Sequence, residues 1–307
     1  MEDENITRIK VKLLDEILGH PFKVLDDGFI RVVDYMGSDE SIVQAARVSY
    51  GKGTKKLSED KALIRYLMRH MHTSPFEMCE IKLHVRVPMD TWRQWIRHRT
   101  ANVNEYSTRY SVAIDSSYMT QKNEWRKQSV DNKQGSGENL DDGIGSRLSE
   151  NEKLINQQIR EVYEERLNLN VAREQARKIL PLSTYTEAYW KIDLHNLFHF
   201  LVLRMDPHAQ FEIRSYANII GNEIVSKWCP ISWEAFKTYR LNAFLFSETE
   251  LVLLNYLINK SKEEVKLYLY SNGLLKNENG IIIRSREMFE IENKLQKIGI
   301  KTDWENY

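Results

Sequence analysis

Apolar residues recur at nearly every second position over residues 79–87, and this alternation is the feature that most limits how the chain can fold. Period two is typical of a β-strand with one buried face. Pro88 ends the alternation, and Trp92 and Trp95 then fall near one face of a short helix that starts at Met89. The strand must therefore pair in a sheet, and a helix must lie close to it in sequence.

Strand and helix patterns also follow one another along the rest of the chain. Strands are predicted over residues 29–35, 183–192 and 281–283, and helices over residues 39–50, 58–70, 89–96, 154–163, 172–179, 194–203 and 208–228. Segment 97–111 has neither period and is predicted to be an extended loop. This pattern predicts an α+β fold with a central antiparallel or mixed sheet flanked by helices.

Three regions are expected along the chain. Residues 1–25 form an N-terminal extension, residues 26–245 the main domain, and residues 246–307 a small αβ appendage to which the sequence assigns no role. Ser247–Glu250 opens this last region with a capping box. Residues 121–150 hold four of the 13 glycines and few apolar residues, so we expect a solvated and poorly ordered insertion there.

Composition excludes several classes of protein. Lys+Arg and Asp+Glu both number 44, so no overall basic field attracts nucleic acid or a lipid surface, and any anion site must be local. Two cysteines are too few for a disulfide framework. The mean hydropathy of −0.53 and the absence of a long apolar run argue against a membrane span. Residues 1–12 lack the apolar core of a signal peptide, so we expect a cytoplasmic protein.

A local anion site is indicated by a basic segment. Arg93, Arg97, His98, Arg99 and Arg109 bring up to five positive charges into 17 residues. A basic run is usually a solvated helix face, but tryptophans and tyrosines in the same segment would hold it against a core, where cations need partners. Guanidinium groups suit phosphate oxygens. No glycine-rich dinucleotide motif or P-loop accompanies the segment, so the phosphate would be bound in another way.

Two alternatives stay open on these residues. The basic segment with Tyr106 and Tyr110 can bind single-stranded nucleic acid by stacking, although the neutral net charge argues against it. His195 and His199 are four residues apart on a helix and, with His208, can chelate a metal, although the apolar helix favours a polar seam or a contact with an aromatic ligand. We predict no metal site.

Cysteine catalysis has little support in the sequence. Cys79 alternates within a predicted strand, and Cys229 precedes a proline at a helix end, so core packing is the preferred interpretation of both.

A signature and six further ordered sequence blocks resemble those of the flavin-dependent thymidylate synthases. Arg97-His98-Arg99 followed after seven residues by Ser107 is similar to the family signature. The other blocks are Ala45–Ser49, His72–Glu77, Arg93–Trp95, Asn104–Ser111, Arg173–Leu182 and Leu203–Gln210. The resemblance covers about residues 26 to 240.

This resemblance implies a homotetramer whose active sites are shared between subunits. It implies FAD as cofactor, deoxyuridine monophosphate (dUMP) as substrate, and NADPH and 5,10-methylenetetrahydrofolate as co-substrates, with uracil C5 methylated to give thymidylate (dTMP). The residues implied for dUMP are Gln94, Trp95, Ile96, Arg97, Glu105, Tyr106, Ser107, Thr108, Arg109, Arg177 and Arg204. Those implied for FAD are Ser74, Arg97, His98, Arg99, Glu105, Asp193, Leu194, His195 and His199.

The resemblance also gives Arg204, Ser107 and His72 roles in the reaction. Arg204 would activate the uracil ring, Ser107 would bond the nucleotide, and His72 would lie near flavin and folate. A cation fixed at the pyrimidine edge stabilises charge that builds on the ring. Asp193 and His195 stand where some relatives carry Asn and Arg, which weakens the expected cofactor contacts there.

Overall fold

The computed structural model describes residues 8–48, 57–129, 135–278 and 281–300. The chain divides into two compact units, one ending at Leu241 and the other beginning at Asn242. Predictions that fall on residues 1–7, 49–56, 130–134, 279–280 and 301–307 lie outside the described residues. They include the polar N-terminus, the end of the helix expected over 39–50, and parts of the insertion and of the appendage. No helix in the described ranges is both long and apolar enough to cross a membrane.

An antiparallel sheet is the centre of the first unit. Its strands are β1 (Phe22–Val24), β2 (Gly28–Met36), β3 (Glu80–Pro88), β4 (Asn102–Glu105) and β7 (Tyr185–Asp193), while β5 (Arg126–Gln128) and β6 (Ser136–Asn139) form a separate hairpin. The five strands lie in the order β1-β2-β3-β7-β4, and every pair is antiparallel. The predicted α+β class, its antiparallel central sheet and three of its strands are confirmed.

Helices fill the intervals between the strands. They are α1 (Lys12–Asp15), α2 (Asp39–Arg47), α3 (Leu57–Arg69), α4 (Ser74–Glu77), α5 (Met89–Trp95), α6 (Asp142–Asn168), α7 (Arg173–Ala176), α8 (Leu194–Arg204), α9 (Phe211–Ile219), α10 (Ser226–Trp228) and α11 (Pro230–Phe236). A 3₁₀ turn at Arg177–Ile179 follows α7, and π-helical turns occupy Ile220–Val225 and Lys237–Leu241.

The alternating residues of β3 face the core, as their period predicts. Ile81, Leu83 and Val85 are at most 1% exposed. Trp95 of α5 and Trp190 of β7 meet beneath the sheet with ring centroids 5.2 Å apart. Large buried aromatic rings of this kind contribute much of the apolar area that stabilises a domain. They also fix α5, and with it the basic segment that follows.

The N-terminal extension predicted over residues 1–25 contains a residue of the main core and a strand of the sheet. Leu14 is fully buried in the main core, and β1 pairs with β2 along Phe22–Val24. The segment is short and mostly polar, so neither strand nor helix periodicity is visible in it. It belongs to the sheet rather than preceding it.

Two further predictions are corrected by the sheet and by α6. The loop expected over 97–111 contains β4, a polar strand at the edge of the sheet that pairs with β7. Part of the insertion expected over 121–150 is folded, because α6 begins at Asp142 with Asp141 as its N-cap. A Cβ on Gly145 would lie 1.9 Å from the backbone oxygen of Lys122, so that glycine allows a close helix contact. Glycine here indicates packing rather than disorder.

The long helix predicted over 208–228 is interrupted. Regular α-helix begins at Phe211 and gives way to the π-helical turns at Ile220. Gly221 lies in those turns, where a Cβ would lie 2.6 Å from Trp233 and 3.1 Å from the sulfur of Met205. Close approach to these two side chains therefore requires glycine at this position.

The second unit has its own core. It contains α12 (Glu248–Asn259), α13 (Lys262–Ser271), β8 (Leu275–Glu278), β9 (Ile281–Arg284) and α14 (Arg286–Lys297). The predicted capping box of Ser247 and Glu250 is confirmed, as is the strand at 281–283. The buried side chains are those of Leu253, Val265, Leu269, Leu274, Leu275, Met288, Ile291 and Leu295.

Candidate active site

Arg204 is the last residue of α8, where the helix dipole favours a positive charge. Its Nε donates to Nε2 of His98 at 3.1 Å, and an Nη atom donates to the backbone oxygen of Gln94 at 3.4 Å. In the described ranges it makes no ion pair with a carboxylate. Burial lowers the pKa of Arg204, but a guanidinium stays charged at neutral pH. Its charge is therefore available to a ligand.

His98 lies partly buried between Arg204 and the side chains of α8. Its ring meets Phe200 edge-on at a centroid distance of 4.9 Å and His199 at 5.8 Å. Burial, then the charge of Arg204, then His199, lowers the pKa of His98 to about 4. The ring is neutral at pH 7. Because its Nε2 accepts a hydrogen bond from Arg204, its proton lies on Nδ1.

A separate cavity of about 310 Å³ opens beside the end of β4. It is lined by Met89, Glu105, Tyr106, Ser107, Thr108, Arg177, Thr184, Tyr185 and Thr186. The wall after β4 is a tight turn, because the backbone N–H of Ser111 donates to the oxygen of Ser107 at 3.1 Å. Tyr106 fastens this turn to β7 through its N–H and the backbone oxygen of Glu187, at 2.8 Å.

Polar groups from distant parts of the sequence meet in this cavity. Arg177 donates to Oγ1 of Thr108 at 2.7 Å across 69 positions of sequence. The hydroxyl of Thr186 donates to the carboxylate of Glu105 at 2.9 Å. The oxygen of Ser107 accepts from the N–H of Arg109 at 3.4 Å. A guanidinium, hydroxyls and a turn are donors that suit phosphate.

Arg109 differs from Arg177 in its environment. It forms an ion pair with Glu174 at 3.2 Å, and both side chains are more than half exposed. Exposed pairs of this kind contribute little to stability. Arg173, next to Glu174, donates to the backbone oxygen of Tyr110 at 2.8 Å. The residues around α7 therefore hold the turn after β4 from outside.

The other residues implied for the nucleotide lie at the end of α5. The side chain of Gln94 donates to that of Gln210, and Ile96 is 40% exposed. The side chain of Trp95 is 0% exposed and packs in the core, and the place of Trp95 among the nucleotide-binding residues stays a prediction. Trp95 was implied through its place in a sequence block. That place does not reveal which way the ring points.

The residues implied for the flavin fall into two groups. Arg97 and Arg99 are exposed and make no ion pair with any carboxylate of the described ranges. His199 is exposed on α8 and His195 is partly buried. Asp193 instead caps α8 by accepting from the backbone and side-chain nitrogens of the asparagine at 196.

Leu194 is also implied for the flavin, but it is fully buried in the core. Its place among the flavin-binding residues stays a prediction.

Ser74 and His72 lie apart from the residues described above. Ser74 is the exposed first residue of α4. His72 is exposed, and its ring meets Tyr66 edge-on at a centroid distance of 5.7 Å. Within the described ranges neither contacts Arg204 or the cavity beside β4.

The metal and cysteine alternatives receive no structural support. His208 is exposed and bonds Asp206 at 2.9 Å, and no group of three or more His, Cys, Asp or Glu in the described ranges is placed to hold a metal ion. Cys79 and Cys229 are both 0% exposed, and burial raises the pKa of Cys229. A buried protonated thiol is a poor nucleophile.

Sequence reasoning gave no role to several residues in the cavity or beside Gln94. Thr184 and Thr186 are buried in or beside β7 and line the cavity, and Gln210 bonds Gln94. Buried threonines in a strand carry no distinctive spacing, so only their polarity among apolar neighbours offered a signal. Gln210 was within a resembling block but was given no role.

Comparison with known proteins identifies relatives of most of this chain. A family model described as thymidylate synthase complementing protein matches residues 31–231. The flavin-dependent thymidylate synthase of Wolbachia pipientis wMel is 54% identical over 267 residues, covering 85% of this chain and 93% of the relative. That of Gluconobacter oxydans (strain 621H) is 53% identical over 249 residues, covering 80% of this chain and 82% of the relative.

A solved structure shares the fold. The UMP/dUMP methylase PolB from Streptomyces cacaoi, bound with 5-Br dUMP, is 30% identical with a TM-score of 0.65. The match covers 72% of this chain and 99% of PolB. The two proteins therefore share a fold over most of this chain.

Proposed function

Because this chain belongs to the flavin-dependent thymidylate synthase family, we propose that it converts dUMP to dTMP with Arg204 activating the uracil ring and without an enzyme thiol. The methyl carbon comes from 5,10-methylenetetrahydrofolate, and FAD is reduced by NADPH. The proposal depends above all on the cavity in which Arg177 meets Thr108, since its donors match a nucleotide monophosphate. We assign this activity to residues 26–245 and none to residues 246–307.

Phosphate binding falls to Arg177, Thr108 and Ser107, with Arg109 at the rim. These groups bind the phosphate equally before and during reaction, so they contribute to substrate affinity rather than to the rate of the chemical step. Ser107 serves as a hydrogen-bonding residue. Its oxygen accepts from a backbone N–H and, within the described residues, contacts no base that could make it a nucleophile.

Ring activation falls to Arg204. Uracil C5 becomes nucleophilic when negative charge builds on the ring, and a fixed cation lowers the energy of that charge. Both cysteines are buried in the core, so an attached thiol does not supply this activation. The guanidinium is held by groups that leave its charge intact, which suits this role.

The exposed donors after α5 fit FAD. Arg97 and Arg99 have no carboxylate partner in the described ranges, which suits a pyrophosphate, and His98 and His199 bring their rings together beside them. Reduced FAD supplies a hydride to the reaction. These residues bind and orient the cofactor, with Glu105, Ser74 and His195 as further implied contacts. Asp193 contributes mainly by capping α8.

A homotetramer accounts for the separation of the groups. Within one chain Arg204 with His98 forms one group, and Arg177 with Thr108 forms another. His72 and Ser74 contact neither. We assign their assembly into complete sites to neighbouring subunits, with His72 placed near flavin and folate.

The decisive experiment combines an absorption spectrum with an activity assay. The purified protein, loaded with FAD if necessary, should show flavin absorbance that NADPH bleaches. It should form dTMP only when dUMP, methylenetetrahydrofolate and NADPH are all present. A protein that cannot bind FAD, or that forms no dTMP in this mixture, would refute the proposed function. Light scattering should give a tetramer.

A further inference from the structure

The end of α8 is fixed in two ways. Met205 follows Arg204 and lies against Gly221, where a Cβ would come within 3.1 Å of its sulfur. The same glycine lies against Trp233, so this close packing holds the backbone beside Arg204. The guanidinium itself is held by Nε2 of His98 at 3.1 Å, a residue 106 positions away in sequence. Backbone and side chain of Arg204 are thus restrained independently.

We propose that His98 is a positioning residue that aims the guanidinium of Arg204 at the pyrimidine site and, as an uncharged acceptor, leaves its full positive charge to the substrate. This inference rests on the proposed function and extends it. His98 acts through Arg204 and takes no part in the chemical step in this role.

The charge of the acceptor decides how much of the cation remains. Arg109 is paired with the carboxylate of Glu174, which offsets much of its field at a ligand. Arg204 instead donates to the neutral ring of His98. Since the pKa of His98 is lowered to about 4, this ring stays neutral over the physiological range. A carboxylate there would hold Arg204 more strongly but would weaken its effect on the uracil.

Geometry gives the ring a single useful orientation. The rings of Phe200 and His98 meet in a T-shaped contact at a centroid distance of 4.9 Å, and the ring of His199, the residue before Phe200 on α8, lies 5.8 Å from that of His98. Nε2 is directed at Arg204, so the proton must lie on Nδ1. The ring contacts of His98 and its hydrogen bond to Arg204 are therefore separate properties, and substitutions of His98 can remove one without the other.

Three substitutions separate the two roles in FAD-saturated enzyme. His98→Gln keeps a neutral acceptor, His98→Phe keeps an aromatic ring without an acceptor, and His98→Glu keeps an acceptor but adds charge. We expect His98→Gln to have the highest kcat of the three variants. His98→Phe should lose about 10²-fold in kcat, since misplacement of a reacting group by about 1 Å has that effect. His98→Glu should fall below His98→Gln. KM for dUMP should change less than kcat, and the exposed His20→Gln serves as the control.

Crystal structures of the wild type and of His98→Phe give a readout that does not depend on activity. The guanidinium of Arg204 should bond the histidine in the wild type and move away in the variant. Retained kcat in His98→Phe, an unmoved guanidinium, or equal kcat in His98→Gln and His98→Glu would each overturn the inference. If the wild type forms no dTMP, the proposed function fails, and the structures alone still decide whether His98 positions Arg204.

Discussion

Arg204 and Arg109 show two ways of holding a guanidinium. Arg109 is exposed and paired with the carboxylate of Glu174. Arg204 is partly buried and held by a neutral ring and a backbone oxygen. A paired cation can bind an anion that is present throughout the reaction. An unpaired cation in a less polar setting responds strongly to charge that appears only in the transition state. This difference predicts that loss of Arg204 lowers mainly kcat, and that loss of Arg109 weakens mainly the affinity for dUMP.

The largest effect should follow loss of Arg204. In Arg204→Ala, kcat should fall by about 10²–10³, the loss typical for one preorganised donor. FAD should remain bound, because Arg204 is not among the residues proposed to contact the flavin. Steady-state dTMP formation and the flavin spectrum test both points. Turnover at the wild-type rate would remove the activating role.

Arg177 should affect affinity rather than rate. Its bond to Thr108 and its place in the cavity predict that Arg177→Gln loses a charge-assisted hydrogen bond to phosphate, about 1.5–3 kcal/mol. KM for dUMP should therefore rise about 10–100-fold with kcat nearly unchanged. With deoxyuridine, which lacks the phosphate, the wild type and the variant should have similar kcat/KM. A fall in kcat without a change in KM would contradict this assignment.

Arg109 should matter less, because its field is already offset. Arg109→Gln should weaken dUMP binding by about 0.2–1 kcal/mol, as for an exposed pair. Glu174→Gln is the matched variant, and it should strengthen binding slightly by freeing the cation. Titration of dUMP against the flavin absorbance measures both. Equal losses in the two variants would show that the pair matters for the shape of the turn rather than for charge.

A further effect concerns the pH dependence of stability. The folded pKa of His98 is about 4, below the usual 6.5, so between these values the unfolded chain binds a proton that the folded chain does not. The free energy of unfolding should therefore fall as pH is lowered from 6.5 towards 4. His98→Gln should show a smaller fall, measurable from urea midpoints at several pH values. Identical pH dependence in both proteins would contradict the lowered pKa.

The core of the fold was predictable because it follows simple periods. The alternation over 79–87 gave β3, and the apolar run over 194–203 gave α8. β4 was missed because an exposed edge strand needs no apolar alternation, so its sequence looks like a loop. The early start of α6 was missed because the glycines around it look like those of a flexible linker. Gly145 instead allows close packing of α6 against Lys122, and composition cannot distinguish the two cases.

The candidate site was predictable only in part, for a similar reason. Sequence blocks pointed to Arg177 and Thr108, and the structure brings these two into contact. Blocks do not state which side of a helix faces the core, and so Trp95 and Leu194 were included although both are fully buried. The bond between His98 and Arg204 spans 106 positions and has no local signature.

The buried cluster around Leu253, Val265 and Met288 has a thermodynamic consequence. Residues that share a hydrophobic core unfold together. This chain has one core in the unit that ends at Leu241 and another in the unit that begins at Asn242. Calorimetry should then resolve two endotherms, and Leu253→Ala should shift one of them while the other stays in place. One melting temperature is accordingly not a sufficient description of this enzyme.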